Sequence, residues 1–164
     1  EVIVNNSAGC GAAMKDYGHW LATDDARSFA GRCRDVCEFL AEQGLTATPA
    51  PFRHTVTYDD PCHLCYGQGV RGQPAELLRQ VPGLQLVEHR DPEACCGSAG
   101  IYNLVHADLA HDIGQAKAKA LAHCEAEVVA TGNPGCMMQI DAHLRARGSA
   151  ARVVHPVELL LPMP

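Results

Sequence analysis

Short β-branched runs alternate with longer stretches of helical period along this chain of 164 residues, the pattern of an α/β fold with a mostly parallel sheet. Five runs read as strands, at 2–5, 54–58, 84–88, 127–130 and 152–155. Helices are predicted between them. The segment 24–43 puts Phe29, Cys33, Val36, Cys37 and Leu40 on one face, and Gly44 stops it. A short helix over 74–80 has Pro74 in its first turn. The stretch 103–123 carries Leu104, Val105, Leu109, Ile113, Ala116 and Ala120 at helical spacing and is expected to pack them on the sheet, and 134–147 ends at Gly148. No repeat, low-complexity tract or linker stands out. The expectation is a single three-layer domain over 1–164, with a mostly parallel sheet of four to five strands flanked by helices.

Placed on this map, the cysteines fall where strands give way to helices. Cys10 lies in Ser7-Ala8-Gly9-Cys10-Gly11, Cys62 in Asp59-Asp60-Pro61-Cys62-His63, Cys95 and Cys96 in Cys95-Cys96-Gly97-Ser98-Ala99-Gly100, and Cys136 in Gly132-Asn133-Pro134-Gly135-Cys136. In a parallel sheet such loops gather at the carboxyl edge, where α/β folds bind ligands. Gly and Pro around each cysteine suit a backbone that turns tightly beside an inorganic centre. Thiolates are the soft ligands that select iron–sulfur clusters or zinc, so Cys62, Cys95, Cys96 and Cys136 are the candidate metal ligands, and the two metals stay open on this ground alone. Cys10 and Cys65 are candidates for additional ligands. Cys65 closes Cys62-His63-Leu64-Cys65, half of a zinc ribbon that no second pair completes.

Plainer readings fit the remaining residues. Cys33 and Cys37 lie four apart on an apolar helix face, where free cysteine packs as a small hydrophobe, and Cys124 at a helix end reads the same way. Gly67-Gln68-Gly69-Val70-Arg71-Gly72 spells the dinucleotide fingerprint, but it does not follow its strand directly and so is read as a decoy. Met137 and Met138 are expected to pack. His155 is read chiefly as a satisfied surface histidine, with a supporting role near the cysteines as the alternative. Nothing resembles a hydrolytic triad or a carboxylate pair, so the catalytic residues are unassigned.

Composition narrows the class further. A net charge of -6 with scattered Lys and Arg excludes a nucleic-acid footprint. No apolar run approaches the roughly 20 residues that cross a bilayer, and no signal pattern opens the chain, so a cytoplasmic protein is expected. Nine cysteines, an odd number, fit metal binding better than a disulfide framework in a reducing compartment. The chain opens on Glu1 and runs at once into a strand, which reads as a fragment of a longer polypeptide.

Cys62, Cys95-Cys96-Gly97 after 32 intervening residues and Gly135-Cys136 after another 39 resemble the cysteine-rich CCG domain of heterodisulfide reductase, the lactate-utilisation iron–sulfur protein and the glycolate oxidase iron–sulfur subunit. Asn6-Ser7-Ala8-Gly9-Cys10-Gly11, Pro61-Cys62-His63, Gly67-Gln68, Cys96-Gly97-Ser98-Ala99-Gly100 and Pro156-Val157-Glu158-Leu159-Leu160 are most similar to the last of these. The resemblance implies a C-terminal part of such a subunit, with residues 1–11 belonging in part to a preceding CCG domain whose last cysteine is Cys10. Where the family ends in Cys-x-x-Cys, this chain has Asn133. That substitution implies a simpler 4Fe–4S cluster on four cysteines, relaying electrons from a flavin (FAD) subunit towards a quinone-linked acceptor in a glycolate or other 2-hydroxy-acid oxidoreductase. A ferredoxin-like iron–sulfur domain would share the complex, and a partner would bring it to the inner face of the membrane. A disulfide-cleaving catalytic protein like heterodisulfide reductase and a structural zinc module are the alternatives.

Overall fold

In the computed structural model, residues 1–162 are described, and their elements follow one another as strand β1 (Ile3–Asn5), helices α1 (Ala8–Leu21) and α2 (Asp24–Arg32), strand β2 (Cys33–Asp35), helix α3 (Val36–Gln43), strand β3 (Thr55–Tyr58), a wide π turn (His63–Gly67), helix α4 (Gln73–Leu78), strand β4 (Gln85–Val87), helices α5 (Tyr102–Val105) and α6 (Ala107–Ala122), strand β5 (Val128–Ala130), helix α7 (Pro134–Ala146), strand β6 (Arg152–Val154) and a 3-10 turn (Pro156–Leu160). Four strands form one parallel sheet in the order β4-β3-β5-β6. Alternation divides their side chains between two cores. Val129 joins Ala118, Leu121, Ile140 and Leu144 of α6 and α7 on one face. Val56, Tyr58, Val128, Ala130 and Val154 meet Leu78 of α4 on the other, and a third cluster joins Cys37, Leu77, Val81 and Leu160 behind it. The α/β class and the three layers are as expected from the pattern.

The first strand does not join this sheet. β1 pairs in parallel with β2, a strand inside the segment read as one helix, to make a separate two-stranded sheet. The break has a local cause. Asp35 accepts a hydrogen bond from the Cys37 amide at 2.8 Å, and Glu38 accepts one from the Asp35 amide at 3.0 Å. This capping box starts α3 afresh and frees Cys33–Asp35 to pair. Cys33 and Cys37 are buried, as expected for core cysteines.

A repeat missed in the sequence emerges from the register. Glu1-Val2-Ile3-Val4-Asn5-Asn6-Ser7-Ala8-Gly9-Cys10 aligns without gaps on Glu127-Val128-Val129-Ala130-Thr131-Gly132-Asn133-Pro134-Gly135-Cys136. Ile3 pairs with Cys33 just as its counterpart Val129 pairs with Val153. Two residues beyond each pair stands a capping residue, Asp35 in the first copy and His155 in the second. His155 closes its own box, with Nδ1 accepting from the Val157 amide at 3.2 Å and Glu158 accepting from the His155 amide at 2.7 Å. It is buried, which corrects the surface reading.

Two helix readings also change. Ser7 to Gly11 is no loop but the start of α1, unexpected because two glycines lie in its first turn. The 103–123 stretch breaks at His106, and its buried stripe is Ala110, Gly114, Lys117, Ala118 and Leu121. Leu104, 78% exposed, Val105 and Leu109 face outward instead.

Candidate functional site

The carboxyl ends of β3 and β5, with the long connection after β4, open onto a cleft of about 720 Å³ lined by Cys10, Cys62, Cys95, Cys96 and Cys136. Each cysteine is delivered by a different local device. Pro61 precedes Cys62, and its carbonyl accepts from the Leu64 and Cys65 amides at 2.8 and 3.0 Å, which starts the π turn. Cys62 is thereby left on the cleft while Leu64 and Cys65 turn into the core. Cys65 does not line the cleft; burial and the neighbouring Asp60 push its thiol up to about 12.

Cys95 and Cys96 depend on Gly97. Its φ is +87°, and a Cβ there would sit 2.6 Å from the Ala110 carbonyl oxygen, so only glycine lets the loop cross α6 this closely. Its amide turns back to donate to Cys95 Sγ at 3.3 Å. Cys136 stands in the first turn of α7, where unpaired amides favour a thiolate. Gly135 lets this turn approach the Cys96 loop, since a Cβ on it would fall 2.7 Å from Ser98 Oγ.

The thiols interact as two pairs. Cys96 Sγ donates to Cys136 Sγ at 3.1 Å. This contact, with help from the Asn133 side-chain amide at 3.3 Å, lowers the Cys136 pKa and raises that of Cys96. A bond from Cys62, seconded by Cys96 and the Gly97 amide, holds Cys95 well below the ordinary thiol range, and the same Cys62–Cys95 bond raises Cys62. One thiol of each pair, Cys95 and Cys136, is therefore favoured as a thiolate while its partner holds the proton, and the four together suit a soft, multi-thiolate centre. Among the described residues no three His, Cys, Asp or Glu side chains draw together tightly enough for a single ion; the four thiols are spread along a cleft.

Cys10, exposed at the start of α1, reaches the same cleft from the first copy of the repeat. Asn133 ties the two copies together, accepting from the Gly9 amide at 3.4 Å while it donates to Cys136. Cys124 is half-buried and donates to the Leu121 carbonyl, away from the site. Met138 is 70% exposed on the cleft rim and not packed as expected. The Gly67–Gly72 run begins at the end of the π turn, not after a strand.

Sequence reasoning missed what lies beneath the cysteines. Lys117 and Asp59 are 3% and 1% exposed, with Nζ 2.6 Å from Oδ1, and His89 packs beside them. The Asp59-Asp60-Pro61-Cys62 string offered a clue to the aspartate. A lysine on the buried stripe of α6 gave none.

Comparison with known proteins agrees with this geometry. The Cysteine-rich domain family, CCG, matches residues 56–141. The chain is 33% identical to the "Probable glycolate oxidase iron-sulfur subunit" of Bacillus subtilis, over 98% of this chain and 38% of that protein. It is 30% identical to "Lactate utilization protein A" of Oceanobacillus iheyensis, over 98% of this chain and 68% of that protein. A third relative, the "Glycolate oxidase iron-sulfur subunit" of Escherichia coli, is 32% identical over 98% and 39% respectively. The chain thus spans well under half of the two glycolate oxidase relatives and about two thirds of the other. With Cys62, Cys95, Cys96, Cys136 and the Gly97 turn all lying within the matched segment, the chain belongs to the CCG cysteine-rich domain family.

Proposed function

We propose that this chain is an iron–sulfur module of an oxidoreductase, with Cys62, Cys95, Cys96 and Cys136 holding one 4Fe–4S cluster in the cleft. The single observation that carries the reading is the convergence of these four thiols on one cleft with two already favoured as thiolates. A cluster bound there supplies one-electron transfer at a potential set by its surroundings. The chain's residues do the rest. The Gly97 amide and the Asn133 side chain donate to ligand sulfurs, which stabilises negative charge on them, and the buried side of the cleft keeps water from Cys96 and Cys136.

The relatives named for glycolate oxidase and lactate utilization support a partner that oxidises a 2-hydroxy acid on a flavin. In that arrangement the module passes electrons towards a quinone-linked acceptor at the inner face of the membrane. Among the described residues no helix is long and apolar enough to cross it, so a partner would provide attachment. The duplicated strand, cysteine turn and capping box further support assigning residues 1–11 in part to a preceding CCG unit, in which Cys10 is the counterpart of Cys136.

Iron, acid-labile sulfide and zinc measured on protein reconstituted without oxygen test the reading, with visible and EPR spectra. About four irons and four sulfides per chain are expected. Cys62→Ser and Cys136→Ser should lose them, while Cys65→Ser and Cys10→Ser keep them. Stoichiometric zinc without sulfide would establish a structural metal module instead. Loss of the cluster in Cys10→Ser would make Cys10 a ligand of this centre.

A further inference from the structure

Lys117 is buried in an apolar stripe, where an ammonium is costly unless it is matched. It is matched by groups from two separate loops. Its Nζ lies 2.6 Å from Asp59 Oδ1, on the strand end that leads into Cys62. It also donates to the Asp91 and Pro92 carbonyls at 3.0 and 3.1 Å, on the connection that leads into Cys95 and Cys96. The loops bear the marks of being drawn together. Asp91 is held at a φ of +55°, in the left-handed region, and the Asp60 amide donates to the same Pro92 carbonyl at 3.2 Å.

We propose that Lys117 is the positioning residue of the cysteine site: from beneath, its ammonium clamps the Cys62 loop to the Cys95–Cys96 loop and sets a fixed positive charge under the thiolates. The clamp predicts behaviour of the protein before any metal is bound, and its second role rests on the cluster reading. Electrostatics within the fold agree, since Lys117 is among the groups that lower Cys95 and Asp59 among those that raise Cys136.

The test uses Lys117→Met/Asp59→Asn, which removes both charges at nearly constant shape so that neither is left buried alone. In metal-free protein, alkylation of the buried Cys96 should run about tenfold faster in this variant. Exposed Cys10 and the core thiols Cys33 and Cys37 should react as in the parent. Unchanged Cys96, or equal acceleration at Cys33 and Cys37, overturns the clamp. After reconstitution, Asp59→Asn alone should raise the midpoint potential, because the ammonium keeps its two carbonyls and loses its counter-charge. An unmoved or lowered potential overturns the charge role. Failure of the parent to take up iron would sink the cluster reading and leave the alkylation result to judge the clamp.

Discussion

Gly97 concentrates the demands of the site in one position. Its φ of +87° and the 2.6 Å approach of a would-be Cβ to a backbone oxygen leave no cheap adjustment. Gly97→Ala is expected to cost about 1–3 kcal/mol in urea denaturation and to lower iron uptake, because the loop that backs away from α6 carries Cys95 and Cys96 with it. Cys62 and Cys65 make the complementary point. Three residues apart on one turn, they differ in placement because the backbone turns directly after Pro61, leaving one thiol on the cleft and sending the other to the core. No spacing rule in the sequence separates them.

Elements were legible where burial and period agreed. β3, β4, β5 and β6 fall within or against their expected segments because each is an apolar run between turn residues, and the turns that carry Cys62, Cys95, Cys96 and Cys136 followed from that placement. β2 was hidden because Phe29, Cys33, Val36, Cys37 and Leu40 keep helical spacing straight through the break. What interrupts the helix is the capping box in which Asp35 accepts from the Cys37 amide and donates its own amide to Glu38, and period alone does not register it. Asp35→Ala should therefore cost about 1 kcal/mol of stability in urea denaturation and reduce far-ultraviolet helicity at the start of α3. α6 misled in another way. Ala110, Gly114, Lys117 and Ala118 join Leu121 on its buried face, while Leu109 and the preceding Leu104 and Val105 of α5 are exposed, so hydrophobic size pointed to the wrong side.

For the whole molecule, the second capping box makes stability depend on pH. His155 Nδ1 must stay unprotonated to accept from the Val157 amide, and burial lowers its pKa from the ordinary 6.5, against the opposing pull of Glu158. A base with a lowered folded pKa contributes fully above its unfolded value and loses that contribution as pH falls through this value towards the folded one. Denaturation of metal-free protein between about pH 7.5 and 5.5 should show declining stability. His155→Asn, which keeps an accepting cap without titrating, should flatten that decline. The doubled architecture has a different consequence at the opposite end. β5 is covered by strands on both sides, whereas its counterpart β1 pairs only with β2 among the described residues and leaves Val2 and Val4 half exposed. A bare, apolar strand edge is a template for intermolecular pairing. Self-association that grows with protein concentration is therefore expected from β1, and sedimentation at rising concentration would register it.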